Sequence, residues 1–201
     1  MKLRTMVIAG ISGVAASGSI IAFAAGPALQ GADAENMRYA QGLLEQGRKI
    51  FRYDTFGSEA FWGDALQLHK AIAGEKNGGV GPGVSPKTAL SVGLKVDADA
   101  LPAALKAQLK AGKVDLDDPA TTIALLKLNA VVGVTAFTNP DGGVKSMGIQ
   151  CAFCHSTVDN SFAPGIGRRL DGWANRDLNV GAIVSLAPNL KPYTEIGRAH
   201  V

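Results

Sequence analysis

The two cysteines of the chain, Cys151 and Cys154, are separated by two residues and followed at once by His155. Four chemistries use such a group: a structural zinc site, a thiol redox pair, a plain disulfide and covalent haem attachment. A structural zinc site needs four ligands, and His69 is the only other credible imidazole. A redox pair of the thioredoxin type follows a strand in a βαβ pattern, and the residues before Cys151 do not predict one convincingly.

The remaining two chemistries differ in how many residues of the group they use. A disulfide across a two-residue spacer closes a loop too small to stabilise much, and it ignores His155. In the C-x-x-C-H pattern both thiols add to the vinyl groups of a haem, and the adjacent imidazole coordinates the iron. The sequence therefore predicts one covalently bound haem c, with Cys151 and Cys154 as attachment residues and His155 as the proximal iron ligand.

The segment from Ser146 to about Pro192 resembles the cytochrome c family. In that family a glycine and proline turn, often G-P-x-L-x-G, follows the haem motif, and here "FAPGIGRRLDGW" stands in the corresponding place. The resemblance implies a mainly α fold, a cytochrome c-like helical haem domain. It also implies that the carbonyl of Pro164 accepts the ring N–H of His155, a bond that orients the ligand. An ordinary turn at Pro164 is the alternative.

A second stretch, "GRKIF" at residues 47–51, is similar to the G-x-x-[IL]-[FY] helix that opens domains of this family. About a hundred residues separate it from Cys151. We expect a domain over residues 35–194 in which Gly47 and Phe51 pack on a later helix. Residues 52–145 would then be a long helical and loop insertion, and residues 146–192 the haem-binding segment. The alternative is a chance match within an unrelated helical domain.

The sixth iron ligand decides between electron transfer and catalysis. No methionine follows Met147, which lies too near the motif and is expected in the core. His69 is a possible distal ligand, and the alternative is a histidine on a helix surface or in the core. We expect an electron carrier, not an enzyme, working with redox partner proteins. The alternative is a c-type haem peroxidase-like enzyme with an open sixth position and His69 or Glu59 as acid or base.

Both ends of the chain carry segments unlike a folded domain. Lys2 and Arg4 precede an apolar run that ends in Ala22-Phe23-Ala24, which predicts a signal peptide over residues 1–24 and a periplasmic or otherwise extracytoplasmic protein. An uncleaved membrane anchor is the alternative. The last residues, 195–201, read "EIGRAHV", as a common sequencing adapter encodes. We expect this tail to be an artefact on a truncated gene, and a genuine short tail is the alternative.

The charge balance is nearly even in the exported chain. The formal net charge of +3 falls to about +1 once Lys2 and Arg4 leave with the signal peptide. This gives no case for nucleic-acid binding. Beyond the signal peptide no apolar run approaches the roughly 18 residues that span a bilayer, so the mature protein is expected to be soluble.

Helix signals dominate the rest of the sequence. Apolar residues recur at helical spacing in several stretches, and N-cap residues precede proline at Ser85-Pro86 and Asp118-Pro119. Strand-like alternation is scarce, and "AVVGVTAF" at residues 130–137 is the best example. Helices are predicted at Glu35–Phe51, at 58–74 with Ser58 as N-cap, from Pro86 to about Val92, within 99–112, from Pro119 to about Asn129, and after Asn179 as N-cap.

Overall fold

A computed structural model of the chain describes residues 30–195. The chain is divided into two units between Ala40 and Gln41, and helix α1, Ala32–Tyr53, contains both of these residues. In the first unit, residues 30–40 contain the first turns of α1, where Arg38 Nε donates to the Ala34 carbonyl at 3.3 Å. The predicted signal peptide and the tail after Glu195 lie outside the described residues.

The second unit contains the end of α1 and all later elements. Its helical elements after α1 are a π-helical turn Ala60–Ala65, α2 Leu68–Ala73, α3 Pro86–Ser91, α4 Ala103–Lys110, α5 Pro119–Lys127, α6 Ala152–His155, α7 Val180–Val184 and α8 Lys191–Thr194, with short 3-10 turns at Glu75–Asn77 and Ala98–Ala100. Its strands are β1 Val96–Asp97, β2 Val134–Thr138, β3 Val144–Ile149, β4 Ser156–Val158, β5 Ile166–Gly167 and β6 Arg169–Asp171.

The strands form three separate two-stranded sheets. β1 pairs with β5 in parallel, β2 with β3 antiparallel, and β4 with β6 antiparallel. Of the described residues, 46% are helical and 14% are in strands. The predicted mainly α, cytochrome c-like helical fold is therefore wrong, and the described chain is a mixed α/β fold. β2 overlaps the strand-like stretch noted at residues 130–137, and β3 was not recognised. The other four strands span two or three residues, too few for an alternating pattern to show.

Local cap signals located several helices correctly. The Ser85 hydroxyl accepts from the Thr88 N–H at 3.2 Å and begins α3. Asp118 begins α5 in the same way, accepting from the Ala120 N–H at 2.9 Å. Asn179, predicted to cap a short helix, begins α7. These predictions are confirmed. A cap residue lies within one turn of the helix that it begins, so a short stretch of sequence is enough to locate the start of the helix.

The helix predicted over 58–74 is instead interrupted. Gln67 has a left-handed backbone, with φ of 56°, and separates the π-helical turn from α2. Ser58, the expected N-cap, directs its hydroxyl to the backbone of Ile149 on β3. A tertiary hydrogen bond thus replaces the local cap.

One apolar core joins the sequence before the cysteine motif to the sequence after it. It contains Met147 and Phe153 together with buried residues of α2, α5, β1, β2, β5 and α7. Residues 52–145 therefore share a core with residues 146–192, while their origin as an insertion stays a prediction. No helix among residues 30–195 is long and apolar enough to cross a membrane.

Candidate functional site

Helix α6 is a single turn with the reactive residues of the motif on its exposed side and the two intervening residues on its buried side. Cys151, Cys154 and His155 are exposed, whereas Ala152 and Phe153 are 0% and 4% exposed. Cys151 has helical backbone angles and caps the turn. At about 100° per residue, the three reactive side chains fall within roughly 100° of arc, and residues three apart on a helix have Cβ atoms about 5–6 Å apart. Both thiols and the imidazole therefore share the exposed side.

The C-terminal end of the turn is tied to a distant segment. The Asn175 N–H donates to the Cys154 carbonyl at 2.9 Å, and the Gly172 N–H donates to the His155 carbonyl at 2.8 Å. These carbonyls belong to the last turn of a helix and have no partner within it. The segment after β6 thus satisfies the end of α6 and fixes the backbone of two motif residues.

The N-terminal side of the turn is fixed by β3 and its neighbours. Both the N–H and the carbonyl of Ile149 bond to the Ser58 hydroxyl, at 2.9 and 3.0 Å. The Gln150 N–H donates to the Gly133 carbonyl at 3.0 Å. Gly133 has φ of +82°, and a Cβ there would collide with the backbone of Phe153. A glycine is needed at this position because the turn lies directly against it.

The end of α1 packs under the motif. Phe51 lies against a small buried cluster formed by Val132, Ala152 and Val158, and Ala152 is one of the two residues between the cysteines. Phe51 therefore contacts a later part of the chain, as expected. Gly47 does not, because a Cβ built on it would meet nothing within 4 Å.

Asp171 links the same end of α1 to Ser156, the residue after His155. Arg52 Nη2 lies 2.6 Å from Asp171 Oδ2, and the Ser156 hydroxyl donates to Asp171 Oδ1 at 2.9 Å. Both charged side chains are about three quarters buried, so solvent screens the pair less than it would a surface pair. Sequence reasoning missed this network because Arg52 and Asp171 are far apart in the chain.

A second cation, Arg169 on β6, is also buried. The Arg169 side chain is 2% exposed, with Nε 3.3 Å from Asp97 Oδ2 and the guanidinium 5.8 Å from the centre of the Tyr53 ring. Burial lowers the pKa of Arg169, and the Asp97 carboxylate opposes that shift. Within residues 30–195, Nε and Nη1 have no hydrogen-bond partner. The Arg169 side chain is thus buried and is not among the exposed groups around the motif.

Pro164 lies away from His155. β4 begins directly after His155, and the register pairs Ser156 with Asp171 and Val158 with Arg169. The loop that contains Pro164 joins the other end of this hairpin. Pro164 is exposed there, and across the described residues no hydrogen bond links it to the His155 ring. The structure does not bring these two predicted site residues together.

His69 also lies apart from the exposed motif side. It is 8% exposed on α2, and its Nδ1 has no hydrogen-bond partner in the described part of the chain. Burial lowers its pKa and Lys70 adds to the shift, while Asp64 and the Gly63 backbone carbonyl oppose it. Met147 is 2% exposed in the core, the position expected for it.

The side chains of Cys151, Cys154 and His155 can be compared with what covalent haem attachment requires. Both cysteines are free thiols, and His155 follows on the same exposed side. Covalent haem attachment asks for two thiols and one imidazole, and these residues fit it. No three His, Cys, Asp or Glu side chains in residues 30–195 are arranged to hold a metal ion by themselves.

No family model, curated protein or solved structure matches this chain. The resemblance to the cytochrome c family therefore depends on the residues quoted above. What the site offers chemically is a pair of accessible thiols and an accessible imidazole on a turn whose backbone is fixed at both ends.

Proposed function

We propose that this protein is a c-type cytochrome that binds one haem through Cys151 and Cys154, with His155 as the proximal iron ligand. The observation that supports this is the arrangement of α6. Its three reactive side chains share the exposed side of one turn, and the two intervening residues are buried. The bound haem supplies one-electron chemistry at its iron.

The residues of the chain hold that group in place. Gly172 and Asn175 fix the end of the turn, and Ile149 and Gln150 fix its beginning. A rigid attachment suits an electron carrier, because a site that changes charge with little movement exchanges electrons readily. The exposed motif side leaves the group accessible to redox partner proteins, and the predicted export signal supports attachment outside the cytoplasm.

Covalent attachment is tested by producing the full chain in a bacterium that has the machinery for c-type haem attachment. We expect haem to remain on the polypeptide in a denaturing gel and the mass to rise by one haem. The double variant Cys151→Ser/Cys154→Ser should lose the covalent haem, and the exposed-loop variant Ser161→Ala should keep it. Haem-free wild-type protein with two titratable thiols would overturn the proposal.

The spectrum of the haem-loaded protein decides what the iron does. We propose electron transfer, which requires a low-spin iron with both axial positions filled. A high-spin iron that reacts with peroxide would instead favour the peroxidase-like enzyme, in which the sixth position stays open. His155→Ala should change the spectrum in either case, because that variant removes the proximal ligand.

A thiol redox pair is the second candidate, and one observation favours it. A strand does precede the motif, since β3 ends at Ile149 and Cys151 begins a helix, contrary to what the sequence predicts. However, β3 belongs to a hairpin and not to a βαβ unit. If this candidate is right, the haem-free protein will form a reversible Cys151–Cys154 disulfide in thiol buffers and catalyse disulfide exchange.

A further inference from the structure

The core beneath the motif contains an internal cavity of about 50 Å³. Side chains of α2, α3, α5, β2 and β3 line it, and Phe153 of α6 forms part of its wall. Apart from Thr122 and Lys95 the lining residues are apolar; they include Leu68, Ala89, Leu126, Val131 and Met147. The cavity is thus an apolar space one side chain away from the cysteine motif.

The polar groups of the lining are too few to hold water. Thr122 is 5% exposed, and its hydroxyl has no hydrogen-bond partner among residues 30–195. Lys95 also lines the cavity, but its ammonium group lies 2.5 Å from Asp177. A buried water needs about two to four polar partners, and apolar cavities stay dry. One hydroxyl is therefore insufficient, and the space favours an apolar occupant.

The size of the cavity limits that occupant to one or two heavy atoms. A single water needs roughly 10–15 Å³, whereas an engineered cavity of about 150 Å³ accepts benzene or xenon. The present cavity, at about 50 Å³, lies between these values. It is too small for an aromatic ring and large enough for a single large atom or a diatomic molecule.

We propose that this cavity is a binding site for a small apolar gas molecule, of the size of a diatomic gas such as dioxygen. The Thr122 hydroxyl is the one group in the site that could donate a weak hydrogen bond to it. A ligand this small makes few contacts, so the dissociation constant should be about millimolar or weaker. The site does not depend on whether haem is attached at α6.

The route into the cavity passes Lys95. Leu90 and Lys95 line both the cavity and an open surface groove of about 570 Å³, which Pro164 and Asp177 also line. These two side chains therefore separate the cavity from the groove. The Lys95–Asp177 ion pair restrains the lysine between the cavity and the groove, so its loss should speed exchange of the ligand without changing the affinity.

Xenon is the probe for this site. We expect crystals of the full chain under xenon pressure to show one anomalous peak in the cavity, and xenon in solution to shift the methyl resonances of lining residues saturably. Ala89→Val should fill the space and abolish both signals. The matched control Ala124→Val, on an exposed position of α5, should keep them.

Three results would overturn the proposal. They are the absence of a peak in the wild type, a peak confined to the surface groove, and equal methyl shifts in Ala89→Val. Thr122→Val should retain xenon binding, because it removes a hydroxyl from the wall of the cavity without filling the space. For Asp177→Asn we expect the exchange rate of xenon to rise at least several-fold at unchanged affinity. An unchanged rate would exclude the Lys95 route.

Discussion

The contact between Phe51 and the motif turn predicts a measurable loss of stability. Phe51 is half-buried against Val132, Ala152 and Val158, whose exposed fractions are 3% or less. Removing a fully buried Phe side chain costs about 3–5 kcal/mol. Because Phe51 is only partly covered, we expect Phe51→Ala to lower the free energy of unfolding by about 2 kcal/mol, roughly half of that range.

The matched control lies on the same helix. Leu44 is two turns before Phe51 and on the same face of α1, but it is 70% exposed. Leu44→Ala should therefore change stability by no more than about 0.5 kcal/mol. For a domain of this size, a loss of 2 kcal/mol corresponds to a fall in Tm of about 4–8 °C.

Urea unfolding followed by far-UV circular dichroism measures both variants, in haem-free and haem-loaded protein. The loss for Phe51→Ala should be present in both forms, because the contact is with protein atoms. Phe51→Leu should recover part of it. If Phe51→Ala is as mild as Leu44→Ala, then α1 is not anchored on the motif turn and the reasoning fails.

Three further predictions concern buried polar groups. Asp97→Asn leaves the guanidinium of Arg169 buried without its counter-ion and should cost about 3–5 kcal/mol in urea unfolding. The control Asp99→Asn breaks the exposed Arg168–Asp99 pair and should cost almost nothing; equal costs would contradict the burial argument. Burial lowers the pKa of His69 below its ordinary 6.5, so the unfolded chain binds a proton first and stability falls as pH drops below about 6.5. His69→Gln should reduce this loss of stability at low pH, and an unchanged pH dependence of the unfolding free energy would refute its assignment to His69. Thr122→Val removes an unpartnered buried hydroxyl and should raise stability by about 1–3 kcal/mol; a loss of that size would mean the hydroxyl has a partner.

The sequence predicted those features that depend on neighbouring residues. A cap residue and proline lie within one turn of the helix they begin, so α3 and α5 could be located. The three residues of the α6 motif could be singled out from their spacing, and the haem chemistry inferred from that spacing stays a prediction. The exposed side shared by Cys151, Cys154 and His155 follows from that spacing once the turn is helical.

The features that escaped prediction depend on residues far apart in the chain. β1 and β5 pair Val96 with Ile166, and neither strand has enough residues to show a period. The tether between Arg52 and Asp171 joins positions 119 residues apart, and no local pattern marks either residue as a partner of the other. The break at Gln67 was hidden as well, because a non-glycine residue occupies the left-handed backbone region.

The fixed ends of α6 also bear on the haem attachment proposed above. A four-residue helix does not form alone in water, so the spacing of the two thiols exists only after Gly133 and the segment Gly172 to Asn175 have joined the turn. An unfolded chain would offer its thiols to the two vinyl groups in no fixed order. The folded chain presents them at one spacing and on one side, so a haem attached as proposed would be held from that side of the turn.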